Sequence, residues 1–280
     1  MQTVIKRRAH RPFKRAVALV AALALLCASG LVSAASAMCS ARSPAHRVAL
    51  VELYSSEGCN SCPPADAWLG QWKNSGATRS VVPLALHVDY WNGLGWTDRF
   101  SQHRFTERQQ TLTDLAGGHT IYTPEVFVGG RELRTWSQQD SFQSRVDKLI
   151  AEPAQANIAL DMKPQPGGAF DLAARFDSRT ADSAARLDAY VAVYENALSS
   201  QVGAGENRGA TLHHERVVRQ WIGPVPLVGG KLQIRRDIRL DGADASANAN
   251  PSVDKFGVVA FVENAATGDV LQVADLPLCH

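Results

Sequence analysis

Val51-Glu52-Leu53-Tyr54-Ser55-Ser56-Glu57-Gly58-Cys59-Asn60-Ser61-Cys62-Pro63-Pro64-Ala65-Asp66 is the stretch on which the fold turns. Its first half belongs to an apolar, strand-forming run, Arg47 to Ser56, that stops at Glu57-Gly58, as a buried strand entering a loop does. After the cysteines, Ala67, Trp68 and Trp72 recur at helical spacing through Lys73. Pro63-Pro64 suits a first helical turn, whose N–H groups have no intrahelical partner. The dithiol is therefore expected where a strand meets a helix N-terminus. There the exposed N–H groups and the positive end of the helix dipole favour a thiolate. Cys59 reads as the attacking thiol and Cys62, one turn along, as the resolving thiol. Pro63 removes one N–H and leaves that of Cys62 free to face the Cys59 sulfur.

Outward from this point, Val81 to Tyr90 reads as a second buried strand and Arg99 to Leu115 as a surface helix. Thr123 to Val128 is a third strand, Gly129-Gly130 a hairpin turn, and Glu132 to Thr135 a fourth strand. Gln138 to Ile150 is an amphipathic helix with Phe142, Val146, Leu149 and Ile150 inward. Strand–helix–strand–helix–strand–strand–helix around a Cys-x-x-Cys predicts an α/β thioredoxin-like domain over residues 46–152. In such a domain a cis proline precedes the third strand, faces the dithiol and offers backbone to an extended substrate. Thr123-Pro124 takes that substrate-positioning role, the other reading being an ordinary trans proline that opens a strand. Beyond Pro153 the pattern changes to short strands between turn clusters, from Asn157 to Met162 through Val270 to Ala274. That predicts an all-β antiparallel sandwich-like domain over 155–280, with Gly242 to Asn250 as a loop.

Other residues are candidates for tuning the dithiol. His87 and Asp89 alternate with Val88 and Tyr90, so both are expected on one strand face. They serve either proton transfer to Cys62 or, preferably, a His–Asp hydrogen bond that anchors the aromatic loop Trp91 to Trp96. Glu57 opposes thiolate formation and reads as solvated. Gly205-Glu206-Asn207-Arg208-Gly209 and His213-His214-Glu215-Arg216 read as a glycine-flanked loop with solvated charges, a binding edge being the other reading. A zinc site needs about four ligands, and no second Cys-x-x-Cys or suitably spaced histidine pair is present. His213 and His214 are adjacent, so a strand points them to opposite faces. Neither a metal nor a bound cofactor is expected.

Gross composition sets the compartment. The chain has 280 residues, 45% apolar, with 29 basic and 27 acidic side chains. Six of the basic residues lie in residues 1–37, which hold no acid, so the remainder carries 29 − 6 = 23 basic against 27 acidic groups. A weakly acidic body offers no electrostatic footprint for nucleic acid. Lys6 to Arg15, the apolar run Ala16 to Leu26 and the small-residue end Ala35-Ser36-Ala37 have the order of a secretory signal peptide, residues 1–37. The apolar run is short of the roughly 20 residues a membrane helix needs, so no span remains after cleavage. Export to the periplasm or medium leaves four cysteines. Cys39 and Cys279 are expected to form a structural disulfide joining the mature ends, worth about 4–5 kcal/mol on the chain-entropy model.

The stretch from Val51 to Asp66 resembles the secreted thioredoxin-like family catalogued as domain of unknown function 1223. So do His87-Val88-Asp89-Tyr90-Trp91 with Leu94-Gly95-Trp96, Tyr122-Thr123-Pro124, and Gly205-Glu206-Asn207. The similarity runs from about residue 47 to near the end. The family pattern has serine at Asn60, aspartate at Asn92 and glutamine at Glu125, so no general role transfers to Asn92. The resemblance implies the fold and the location and leaves the activity open. Three functions stand at this point. One is a thiol–disulfide oxidoreductase acting on protein thiols or disulfides with an unidentified redox partner. Another is a non-enzymatic envelope binding protein with a structural disulfide. The third is a metal-handling protein using Cys59 and Cys62, with His87.

Overall fold

The computed structural model describes residues 1–3, 38–74, 80–165, 169–179, 186–239 and 255–278. The signal peptide, apart from residues 1–3, the loop Gly242 to Asn250 and the Cys39–Cys279 pairing lie outside the described residues, Cys279 being the undescribed partner. Met1–Ser36 and Ala37–His280 are separate units, and the second carries every strand and helix found among the described residues.

Strands β2 (Ala49–Ser55) and β3 (Val81–His87) run parallel, Ala49 opposite Val81 and Ser55 opposite His87. Every residue in both is buried, as expected of near-continuous apolar runs covered on two faces. On the far side of β2 lie β4 (Glu125–Val128) and β5 (Arg131–Glu132), both antiparallel. The far edge of β3 is taken by β11 (Val217–Pro226), parallel through Val217 and Ala85. From there β8 (Leu187–Glu195), β13 (Phe256–Asn264) and β14 (Val270–Pro277) continue the same sheet antiparallel. The result is one eight-stranded mixed sheet in the order β14-β13-β8-β11-β3-β2-β4-β5. A second, antiparallel sheet has the order β1-β6-β7-β12, from Cys39–Arg42, Ala156–Gln165, Ala169–Ser178 and Lys231–Arg239. Strands β9 (Leu198–Gln201) and β10 (Thr211–His214) form a separate hairpin.

Three helices are found among the described residues: α1 (Pro63–Gly70), α2 (His103–Leu115) and α3 (Gln139–Ile150). Ala65 and Leu69 of α1, with Phe142, Val146 and Leu149 of α3, pack on Ala49, Val51, Leu53, Val126 and Val128. Phe105 and Leu112 of α2 pack on the other side, with Tyr54, Leu84, Tyr190 and Phe261. The alternating inward residues of β6 and β7, from Ile158 to Phe176, meet Val191, Val193, Val258 and Ala260 of the large sheet. No helix among the described residues is long and apolar enough to cross a membrane.

This architecture corrects the expected fold class. The chain is not an α/β thioredoxin-like domain followed by an antiparallel sandwich. It is mostly β, and strands from both halves share the large sheet. The reason is the edge of β3, whose N–H and C=O groups need partners. Ala85 donates its N–H to Arg216 O at 2.9 Å, so the second half closes an edge that the first leaves open. Arg216 is buried beside this joint, its guanidinium donating to Pro83 O and Asp275 at 3.0 and 2.9 Å and lying 3.8 Å from the Tyr194 ring centre.

Candidate functional site: a covered disulfide over a buried His–carboxylate cluster

Strand β2 delivers Glu57-Gly58 to the cysteine loop, and Cys62 is the N-cap of α1. Cys59 and Cys62 are joined as a disulfide, their Cα atoms 5.5 Å apart. The strand–dithiol–helix junction read from the sequence is thus where it was expected, but its local hydrogen bonding is different. The Cys62 N–H does not face the Cys59 sulfur; it donates to Cys59 O at 3.2 Å. A side chain takes that place, with Ser61 Oγ 3.3 Å from Cys59 Sγ. The same hydroxyl lies 3.5 Å from Thr123 O, so the Thr123-Pro124 segment, whose peptide bond is cis, borders the cysteine loop.

Attack by or on Cys59 requires its sulfur to be reachable, yet Cys59 and Cys62 are both 0% exposed, although Asn60 and Ser61 between them are exposed. Part of the cover comes from the loop joining β9 to β10. Asn207 Nδ2 donates to Glu57 O and to Cys59 O, both at 2.9 Å, and Glu206 Oε2 accepts from the Asn60 N–H at 3.1 Å. Gly205 has a φ of +73°, and a Cβ there would lie 3.3 Å from Trp96 Cβ, so a residue without a side chain lets the loop approach Trp96 closely. The Gly205-Glu206-Asn207 segment, read as a solvated loop, instead clamps the cysteine loop. Its sequence signals were a polar run between glycines and its part in the family resemblance, neither of which says what it touches.

Beneath this cover lies a cluster of buried ionisable groups. β3 ends at His87, so Asp89 sits in the following bend and the two do not share a strand face. Asp89 instead accepts from Thr106 Oγ1 at 2.6 Å and pairs with His103 at 2.9 Å. His87 does make the anchoring His–Asp hydrogen bond, with Asp98: Nδ1 to Oδ2 is 2.6 Å. Asp98 also accepts the N–H groups of Glu57 and Phe100 at 2.9 and 2.8 Å. Burial alone raises the Asp98 pKa, but His87 and these N–H groups outweigh it and hold the carboxyl below its ordinary value.

Glu57, read as solvated, is fully buried; its Oε2 accepts from Trp96 Nε1 at 2.7 Å. His214, on β10, lies between two carboxylates, with Nε2 3.3 Å from Glu57 Oε1 and Nδ1 3.5 Å from Asp66 Oδ2. Burial lowers the His214 pKa, but Asp66 and Glu57 overcome that and raise it to about 9. Sequence reasoning missed Asp66 and Asp98 and read His214, which is buried, as part of a solvated loop, because the three come from α1, a loop and β10 and nothing in their spacing links them.

Fold and site together define a class: a mixed-sheet β protein with a disulfide-bonded Cys-x-x-Cys at a helix N-terminus, roofed by a loop from the chain's second half. The chain belongs to the family described as "Protein of unknown function (DUF1223)", whose model matches residues 50–262. No curated protein matches. Among solved structures it is similar to protein AGR_C_4864 from Agrobacterium tumefaciens, at 24% identity and a TM-score of 0.58, covering 84% of this chain and 99% of that one. It is also similar to HBP35 of Porphyromonas gingivalis, at 17% identity and a TM-score of 0.59, covering 84% and 76% respectively. Both likenesses concern the fold.

Proposed function

We propose that this protein is an envelope thiol–disulfide oxidoreductase whose dithiol works from beneath a hydrogen-bonded cover. The observation that carries the reading is the Cys59–Cys62 disulfide at the start of α1, roofed by side-chain hydrogen bonds from Asn207 and Glu206. Such bonds have a small net worth of about 0.5–1.5 kcal/mol each, so the loop is able to lift without unfolding the sheet. In the oxidising direction a substrate thiolate attacks Cys59 Sγ, and the S–S bond breaks with its electron pair leaving on Cys62, which takes a proton. A second substrate thiolate then attacks the substrate sulfur of the mixed disulfide and expels Cys59. The substrate gains a disulfide, and the protein gains two electrons and two protons. The reverse sequence reduces a substrate disulfide. A separate redox partner resets the pair, and Thr123-Pro124 lies where an extended substrate backbone would dock.

The test is the rate at which dithiothreitol and glutathione reduce Cys59–Cys62 in the folded protein, read by mass-tagging of the freed thiols. Asn207→Ala is expected to speed that reduction, and Cys59→Ser to abolish mixed-disulfide trapping. Complete burial of both cysteines favours a second reading, a structural cross-link in a non-enzymatic envelope protein. Reduction that occurs only on global unfolding, at the same rate in Asn207→Ala, decides for that reading.

A further inference from the structure

Three buried side chains under the cysteine loop meet without satisfying one another. One ligand atom each from Asp66, His87 and His214 lies within 4.8 Å of the others, and all three residues are over nine-tenths buried. His87 Nε2 and Asp66 Oδ1 have no hydrogen-bond partner, and the ring nitrogens of His214 meet their carboxylate neighbours only at 3.3 and 3.5 Å, without hydrogen-bond geometry. Buried polar atoms left this way are unfavourable by about 1–3 kcal/mol each, so a group of them around one point needs an explanation.

The tautomer of His87 supplies one. Its Nδ1 is taken by Asp98 at 2.6 Å, an acceptor that selects, for a neutral ring, the tautomer with its proton on Nδ1 and its lone pair on Nε2. A carboxylate behind one nitrogen, with the other nitrogen bare, is the arrangement that orients metal-binding imidazoles. His214 differs in having a carboxylate at each nitrogen, Glu57 Oε1 3.3 Å from Nε2 and Asp66 Oδ2 3.5 Å from Nδ1, so its Nδ1 and Asp66 already face one another across the cluster. That last distance is close to the roughly 3.3–3.4 Å edge between ligands of a tetrahedral ion held at about 2.0–2.1 Å.

We propose that Asp66, His87 and His214 bind one divalent transition-metal ion of zinc type, with Asp98 and Glu57 as the outer carboxylates. Two imidazoles and a carboxylate are a donor set suited to zinc or cobalt, and three protein ligands leave one coordination position open. The site uses no cysteine and does not rest on the redox reading.

The test uses the full mature chain with its disulfide intact, unfolded in chelator and refolded, because the site is closed to rapid exchange. Titration with Co²⁺ alone is expected to give one equivalent bound, with the visible absorption of a four-coordinate ion that Zn²⁺ then displaces. His214→Gln and Asp66→Asn are expected to weaken Co²⁺ binding at least tenfold. Asp98→Asn should weaken it 10- to 100-fold while leaving all three ligands in place. The double variant Cys59→Ser/Cys62→Ser should bind as the wild type does. Circular dichroism and urea unfolding show that each variant is folded before its affinity is read. Absence of Co²⁺ and Zn²⁺ binding by the wild type overturns the proposal, as does affinity indifferent to Asp66 and His214 in folded variants. Binding that disappears with the cysteines overturns it too.

Discussion

Glu125 shows how one side chain sets the response of the whole fold to pH. It follows Pro124 at the head of β4, is 1% exposed, and accepts a hydrogen bond from Gln109 Nε2 at 2.6 Å. Burial and the nearby Glu132 raise its pKa to about 7. With the folded value above the unfolded one, the native state holds the extra proton between about pH 4.5 and 7. Stability therefore falls as pH rises through that window, by about 3 kcal/mol at most. Glu125→Gln keeps an acceptor for Gln109 and removes the charge. Urea midpoints between pH 5 and 8 should fall less steeply for this variant than for the wild type, and at pH 8 the variant should be the more stable. Arg108 is the opposite case, a buried cation held by Glu52 at 2.6 and 3.2 Å and Glu263 at 2.8 Å, its guanidinium 4.7 Å from the Tyr190 ring centre. Arg108→Met leaves two buried carboxylates without their partner and is expected to lower unfolding stability by about 3–5 kcal/mol. Replacing both acids by glutamine in that background should recover much of the loss, as measured in urea.

Among the elements, the loop between β9 and β10 supplies part of the cover over the disulfide. Its hold on the cysteine loop is two hydrogen bonds from Asn207 and one to Glu206. Deleting the Asn207 pair should favour the lifted state by about 1–3 kcal/mol, which makes reduction by dithiothreitol roughly tenfold faster in Asn207→Ala. Elements that were legible in the sequence share a property: their signal is local. β2, α1 and α3 follow from apolar runs, proline placement and the spacing of Phe142, Val146 and Leu149. The expected strand to Tyr90 overran because apolar residues continue past His87, whereas the ladder ends with the Ser55–His87 pair, closed by Val88 N–H to Ser55 O at 2.9 Å, and the chain bends at Asp89. The expected His87–Asp89 hydrogen bond does not form; Asp98 takes that place, and it reaches His87 only through the fold of the intervening loop.

For the whole molecule, the large sheet makes both halves mutually dependent. β3 and β11 pair across the middle of the sheet, and Arg108 on α2 joins Glu52 of β2 to Glu263 of β13. The Gly129-Gly130 turn lies against the turn between β13 and β14: a Cβ on Gly130 would stand 1.7 Å from Gly268 O, and Gly130 has a φ of +85°. Gly130→Ala is therefore expected to destabilise the whole protein, by about 2–4 kcal/mol in urea. Calorimetry should give one cooperative transition for residues 38–280, and residues 38–153 expressed alone should not fold, because the β3 edge and the cluster around Tyr54 would face water. Two resolved transitions, or a folded fragment, would refute that dependence.

The amino-acid order alone determined that Cys59 and Cys62 stand between a buried strand and a helix, and that Thr123-Pro124 opens a later strand. These are consequences of side-chain periodicity and of proline and glycine geometry, which act over a few residues. Only the tertiary structure decided that the two halves share a sheet, that Asn207 roofs the disulfide, and that Asp66, His87 and His214 converge. Such contacts arise because a strand edge and a buried polar atom must each find a partner, and the chain supplies it from more than a hundred residues away.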